Sequence, residues 1–149
     1  MRYKTITFVP SINLDAHATG DVVAALEEIT DWAAFEGGSS RVVSVVVNDA
    51  TDTGAALDLV FFTATGTIGA ESAAYTASDA VAATCAGTIN VLAASYDDGI
   101  DNKSASQAVD MVIGCAGDST SIWMGVVARD SFDAAAATDL TIKLGLDRG

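Results

Sequence analysis

The chain has 149 residues, which suits one domain with a sizeable core. Its 20 acidic residues outnumber its 7 basic residues and give a formal net charge of −13, which argues against direct binding of DNA or RNA. The start of the chain lacks the apolar core of a secretory signal, and no window is apolar enough to span a bilayer. We therefore expect a protein that is made in the cytoplasm and has no membrane partner.

Short strand-like runs follow one another along the chain, and clusters of Gly, Asp, Asn or Ser separate them. In the last run, Leu140, Ile142 and Leu144 alternate with polar or small residues, which is the pattern of a half-buried strand. The predicted strands are Asp21–Ile29, Arg41–Asp49, Ala56–Thr63, Thr88–Ala94, Gln107–Cys115, Ser121–Arg129 and Asp139–Leu146, with an eighth at Lys4–Val9.

Two stretches bear on helix content. The spacing of apolar residues in 22–29 fits an amphipathic helix, but the β-branched residues and the Gly37-Gly38 break favour a strand followed by a loop. One short helix of about two turns is predicted at 78–87, capped by Ser78 and ended by Gly87.

These elements predict an all-β fold, an antiparallel β-sandwich with the jelly roll as its leading version. Residues 1–20 are interpreted as an N-terminal segment or arm, and residues 21–149 as the sandwich domain. The stretch Tyr3–Ile12 is either an arm that adds to the sheet edge of another chain or the first strand of this sandwich.

The strand within "AALDLVFFTATG" raises a question about its two faces. Leu57, Leu59 and Phe61 share one face, whereas Asp58 and Phe62 lie on the other with further apolar residues. That second face is covered by a second layer of the same chain or by a neighbouring subunit, or it lies at an edge that solvent partly reaches. A buried carboxylate would need a partner such as Arg129.

The sequence offers little catalytic or metal-binding chemistry. His17 is interpreted as a surface-loop residue, because no recognisable nucleophile motif accompanies it. Acidic stretches at 48–54 and 96–102 are interpreted as hairpin turns, with a bound cation as the alternative. Cys85 and Cys115 are predicted to be reduced, buried thiols. We predict no catalytic residue, no metal site and no cofactor.

Several strand-shaped blocks between about Arg41 and Gly149 resemble a family of small structural proteins encoded beside capsid genes in tailed bacteriophages. The blocks are "SVVVND", "ALDLVFF", "SDAVAA", "AVDMVIG", "IWMGVVARDSF" and "LTIKLGLDRG". The resemblance implies a capsid decoration, or cement, protein. Such a protein is a jelly-roll homotrimer on the exterior of the virion that bridges major capsid protein subunits and is not an enzyme.

Exposed apolar groups would carry most of the affinity at such contacts. The residues predicted to bind a partner are Tyr3, Ile6, Phe8, Trp32, Phe35 and Phe62. A virion-displayed sandwich that binds host-surface glycans remains the alternative function, because jelly rolls also serve as lectins.

Overall fold

The computed structural model describes residues 2–97 and 103–148, which form nine strands and one short helix. A 3-10 turn lies at Ala93–Ser95. The helix, α1, is Asp79–Ala82. The strands are β1 (Tyr3–Phe8), β2 (Val22–Ile29), β3 (Ser39–Asp49), β4 (Leu57–Phe62), β5 (Cys85–Val91), β6 (Tyr96–Asp97), β7 (Lys103–Gly114), β8 (Ile122–Ala128) and β9 (Leu140–Asp147).

The strands form two antiparallel sheets that pack as a sandwich. The five-stranded sheet has the order β1-β9-β3-β7-β6, and the four-stranded sheet has the order β2-β8-β4-β5. The pairs β1·β9, β2·β8, β3·β7 and β4·β5 are those of one long antiparallel ribbon folded back on itself, with its tip at the β4–β5 connection. This is the strand order of a jelly roll, so the predicted all-β sandwich is confirmed.

One large apolar core lies between the two sheets. In β9, Leu140, Ile142, Leu144 and Leu146 are fully buried in it, as their alternation predicts. Each such side chain contributes about 1.5–3 kcal/mol through burial. The inner face of β4 joins the same core through Leu57, Leu59 and Phe61.

Helix α1 is shorter than predicted. Ser78 caps it as expected, because its hydroxyl accepts a hydrogen bond from the Val81 amide. The helix ends after one turn, where the Thr84 amide and hydroxyl both donate to the Val81 carbonyl. Gly87 is therefore not a helix end. It lies within β5, since strand pairing with β4 begins at Cys85.

The N-terminal strand belongs to this sandwich. β1 pairs with β9 of the same chain along its whole length, from Tyr3 opposite Asp147 to Phe8 opposite Ile142. Ile6 and Phe8 pack against the core. In this structure the stretch is thus the first strand and an edge of the five-stranded sheet, not an arm reaching away from it.

Candidate functional site

The outer face of the four-stranded sheet is covered by its own chain. Val60 and Phe62 of β4 form a second buried apolar cluster with Val22, Ile68 and Val127, and Tyr75 and Val81 pack against it. Three of these residues, Ile68, Tyr75 and Val81, belong to the connection between β4 and β5. We call this connection, residues 63–84, the cover. It answers the question raised by the second face of β4.

The cover approaches the sheet closely where β8 has no side chain. A Cβ placed on Gly125 would lie 2.7 Å from Ile68 Cδ1 and 3.1 Å from the Ala24 carbonyl oxygen. Gly69 makes a turn of the cover with a φ of +117°, a conformation that favours glycine. These two positions let the cover seat Ile68 against the sheet.

A buried carboxylate lies on the same outer face. Asp58 is 3% exposed, and its carboxylate accepts a hydrogen bond from Asn90 Nδ2 at 2.6 Å and pairs with the Arg129 guanidinium. Both partners are needed because an unpaired buried carboxylate is costly. Arg129 is the arginine predicted from the sequence to neutralise this position.

The outer face of the five-stranded sheet has no such layer within the described residues. Val112 is 63% exposed, and the buried apolar clusters include none of the outward side chains of this sheet. We call this surface the bare face. It comprises Tyr3, Thr5 and Thr7 of β1, Arg41, Ser44, Val46 and Asn48 of β3, Asp97 of β6, Ser104, Ser106, Ala108, Asp110 and Val112 of β7, and Thr141, Lys143, Gly145 and Asp147 of β9.

The bare face is close to neutral although the chain is strongly acidic. It carries two basic residues, Arg41 and Lys143, against three acidic ones, Asp97, Asp110 and Asp147. Arg41 Nε donates to Asp110 Oδ1 at 2.6 Å, and this bond lowers the pKa of Asp110 and raises the pKa of Arg41. Most other outward side chains here are short, so another protein surface can approach the sheet.

The six predicted partner-binding residues fall into three groups. Tyr3 and Phe35 are exposed, and Ile6 and Phe8 are partly buried against the core. Trp32 and Phe62 are a correction, because both side chains are buried inside the chain and present no surface to a partner.

The burial of Trp32 has a clear physical cause. Its indole nitrogen donates to the Ile113 carbonyl at 3.1 Å, and its ring packs on Phe61 with 5.6 Å between ring centres. The loop after β2 therefore turns inward at Trp32. Phe35, three residues later, points to solvent.

His17 is buried, not on the surface as predicted. It is 2% exposed, because the backbone of this loop pairs with Phe132 in both directions, at 2.8 and 3.0 Å. Its Nδ1 lies 3.4 Å from the Ser72 hydroxyl, which is also 2.9 Å from Asn13 Oδ1. No partner for Nε2 is found among the described residues. His17 lines a cleft of about 540 Å³ beside Asp21 and Asp133.

The acidic stretch at 48–54 is a turn. The Asp49 carboxylate accepts from the Thr51 amide at 2.8 Å and the Gly54 amide at 2.9 Å, so it satisfies backbone donors. The turn joins strands of different sheets and is not the predicted hairpin. Most of the second stretch, 98–102, lies outside the described residues. Elsewhere in the described chain, no group of three or more His, Cys, Asp or Glu is arranged to hold a metal ion.

The two cysteines are unpaired, and only one is partly buried. Cys85 is exposed at the start of β5, which corrects its predicted burial. Burial raises the pKa of the Cys115 thiol. Neither side chain is part of the Asp58 or His17 arrangements.

Comparison with known proteins gave no match: no family model, no curated protein and no solved structure is significantly similar to the chain. Within residues 2–97 and 103–148, no helix is long and apolar enough to cross a membrane.

Proposed function

We propose that this chain is a structural virion protein that decorates the outer surface of a phage capsid. It bridges major capsid protein subunits as a homotrimer and stabilises the shell without an enzymatic reaction. The observation that carries the proposal is the bare face, a sheet surface of mostly short side chains with two basic and three acidic residues on a chain of net charge −13.

The physical basis is contact over a broad surface. Exposed salt bridges such as Arg41–Asp110 contribute little, so shape and apolar contact supply most of the affinity. A trimer engages several subunits at once, and multivalency turns individually weak contacts into stable attachment. Binding to the mature shell but not to its separated subunits stabilises that shell by mass action.

The resemblance of the strand blocks to phage decoration proteins supports the same function. The glycan-binding alternative calls for an exposed aromatic platform. Both ring contacts among the described residues, His17–Phe132 and Trp32–Phe61, lie in the interior. Tyr3 and Phe35 are exposed, but neither makes a ring contact within the described residues, so the described surface presents no stacked aromatic platform.

The test is co-sedimentation with purified expanded capsid shells that lack this protein. We expect the wild-type chain to pellet with the shells. Val112→Glu, which places a charge on the bare face, should reduce the bound fraction by about tenfold. Leu14→Glu is the matched control, because Leu14 is also exposed, at 56%, but lies in the loop after β1, outside the bare face.

A wild-type chain that stays in the supernatant would overturn the proposal. If that chain also binds sugars in a glycan screen with or without calcium, the result would favour the alternative function.

A further inference from the structure

The edge of the four-stranded sheet at β5 is only partly closed. β5 has β4 on one side and, among the described residues, no strand on the other. The Gln107 side chain spans part of this edge. Its Nε2 donates to the Asn90 carbonyl at 2.8 Å, and its Oε1 accepts from the Leu92 amide at 2.7 Å. The amide of Gln107 thus takes the place of one peptide group of a neighbouring strand.

Backbone groups beyond Gln107 face an open groove. Residues two apart in a strand point their N–H and C=O groups to the same side, so Thr88 faces the side that Asn90 and Leu92 face. The register between β4 and β5 is regular from Leu57 opposite Val91 to Phe61 opposite Gly87. The Thr88 N–H and C=O are therefore placed to bond a further strand.

The groove between β5 and β7 is uncharged and has an apolar wall. Its volume is about 330 Å³. Met111 reaches into it beside Gly87, where a Cβ would lie 2.9 Å from the Met111 sulfur. Leu92, at one end, is 57% exposed. The lining residues are Thr88, Ile89, Asn90, Leu92, Gln107, Ala108, Val109 and Met111. Open backbone groups beside an apolar wall suit an extended chain segment.

The other end of the sandwich carries a second open edge. β2 is covered at its first residue, because the Ser72 amide donates to the Val22 carbonyl and the Val22 amide donates to the Ala73 carbonyl, both at 2.9 Å. β1 has β9 on one side and, within the described chain, no strand on the other. Its one charged residue, Lys4, is paired with Asp31.

We propose that β1 of a second copy of this chain adds to β5 in this groove. Each copy then offers β1 to one neighbour and its β5 groove to another. A head-to-tail contact of this kind gives a ring where the rotation between neighbours closes and an open filament where it does not. The proposal is the closed ring of three copies, the trimer on which the proposed function depends. Two chains of net charge −13 repel each other, so a contact between copies is favoured where acidic side chains are few. The groove and β1 are such places, because neither presents an unpaired acid among the described residues.

The first test is solution mass by light scattering over a range of concentrations. We expect the mass of three chains for the wild type. Leu92→Lys should raise the concentration of half-assembly by about tenfold or more, because it places a charge at the mouth of the groove. Leu14→Lys is the matched control, since Leu14 is 56% exposed and lies outside the groove, and it should assemble like the wild type.

The second test identifies the strands that meet, by hydrogen–deuterium exchange of the wild type above and below the assembly concentration. We expect slower exchange in both segments 3–8 and 85–92 on assembly, and no change in segment 22–29. Protection of 85–92 without 3–8 would overturn the proposal in favour of β5 pairing with another β5. Equal assembly of Leu92→Lys and wild type would also overturn it.

Co-sedimentation separates this inference from the proposed function. A wild-type chain that binds shells but remains a monomer in solution and after elution overturns the edge pairing and the homotrimer, and leaves only the decoration of the capsid standing. A chain that forms the edge-paired trimer but does not bind shells supports the edge pairing and overturns the capsid function.

Discussion

The two outer faces of the sandwich are built in opposite ways. On the four-stranded sheet, Val60 and Phe62 point outward and are buried by the cover. On the five-stranded sheet, the outward positions apart from Tyr3 at the start of β1 are short, β-branched or charged, and the described chain leaves them uncovered. In this protein the outward apolar side chains at the centre of β4 thus lie on the face that the chain covers itself, whereas the face with mostly short outward side chains is available to another molecule.

The largest expected difference between the two faces is that between the variants Phe62→Ala and Val112→Ala. Phe62 is buried under the cover, so its truncation should lower the free energy of unfolding by about 3–5 kcal/mol. Val112 is exposed on the bare face, and its truncation should cost less than about 0.5 kcal/mol. Urea denaturation of both variants measures the difference. Similar losses for the two would mean that the faces do not differ as described.

Gly125→Val tests whether the cover depends on a missing side chain. The new methyl groups would meet Ile68 and the Ala24 carbonyl oxygen, so we expect a loss of about 1–3 kcal/mol and faster proteolysis within 63–84. Gly117→Val is the control, because nothing lies within 4 Å of a Cβ at Gly117. Unchanged proteolysis of the cover in Gly125→Val would contradict this account.

Asp58→Ala against Asp110→Ala compares the two acid–arginine pairs. Removing the buried Asp58 carboxylate leaves Asn90 and Arg129 without their acceptor, and we expect a loss of about 1–3 kcal/mol. Asp110 is exposed on the bare face, and its removal should leave the melting temperature nearly unchanged. Asp58→Asn separates the loss of charge from the loss of packing. Equal melting temperatures for Asp58→Ala and Asp110→Ala would contradict the comparison.

The smallest effect is expected from alkaline pH acting on the cover. Burial raises the pKa of Tyr75, which means that the folded state holds this proton more tightly than the unfolded state. The stabilisation is present below the ordinary tyrosine pKa of about 10 and is lost as pH rises from there through the raised value. Tyr75→Phe should flatten the fall in unfolding free energy as pH rises above about 10. If the unfolding free energies of the wild type and Tyr75→Phe fall in parallel as pH rises, Tyr75 does not contribute to the loss of stability at alkaline pH.

Local patterns were enough to predict most strands. The alternation in β9 predicts four buried residues, and all four are in the core. The Asp58–Arg129 pair was also predictable, because a carboxylate amid apolar residues needs a partner. The helix end at Gly87 was wrong because glycine also suits a strand that a large neighbour approaches, here Met111.

The candidate surfaces were harder to predict from local patterns. Trp32 and Phe35 lie in one loop of similar composition, yet one is buried and the other exposed. His17 lies in a polar stretch, and its burial depends on pairing with Phe132, more than a hundred residues away. No periodicity within either segment carries that information.

The amino-acid sequence by itself determined the all-β class and most of the strands, because side-chain alternation and turn residues act over a few positions. It also determined the acidic charge that disfavours nucleic acid as a partner. Only the tertiary structure decided which face of β4 meets the cover and, among the residues it describes, which sheet face is uncovered and which edge strands have no neighbour. These features depend on contacts between residues far apart in the chain, and a strand with two apolar faces fits several such arrangements equally well.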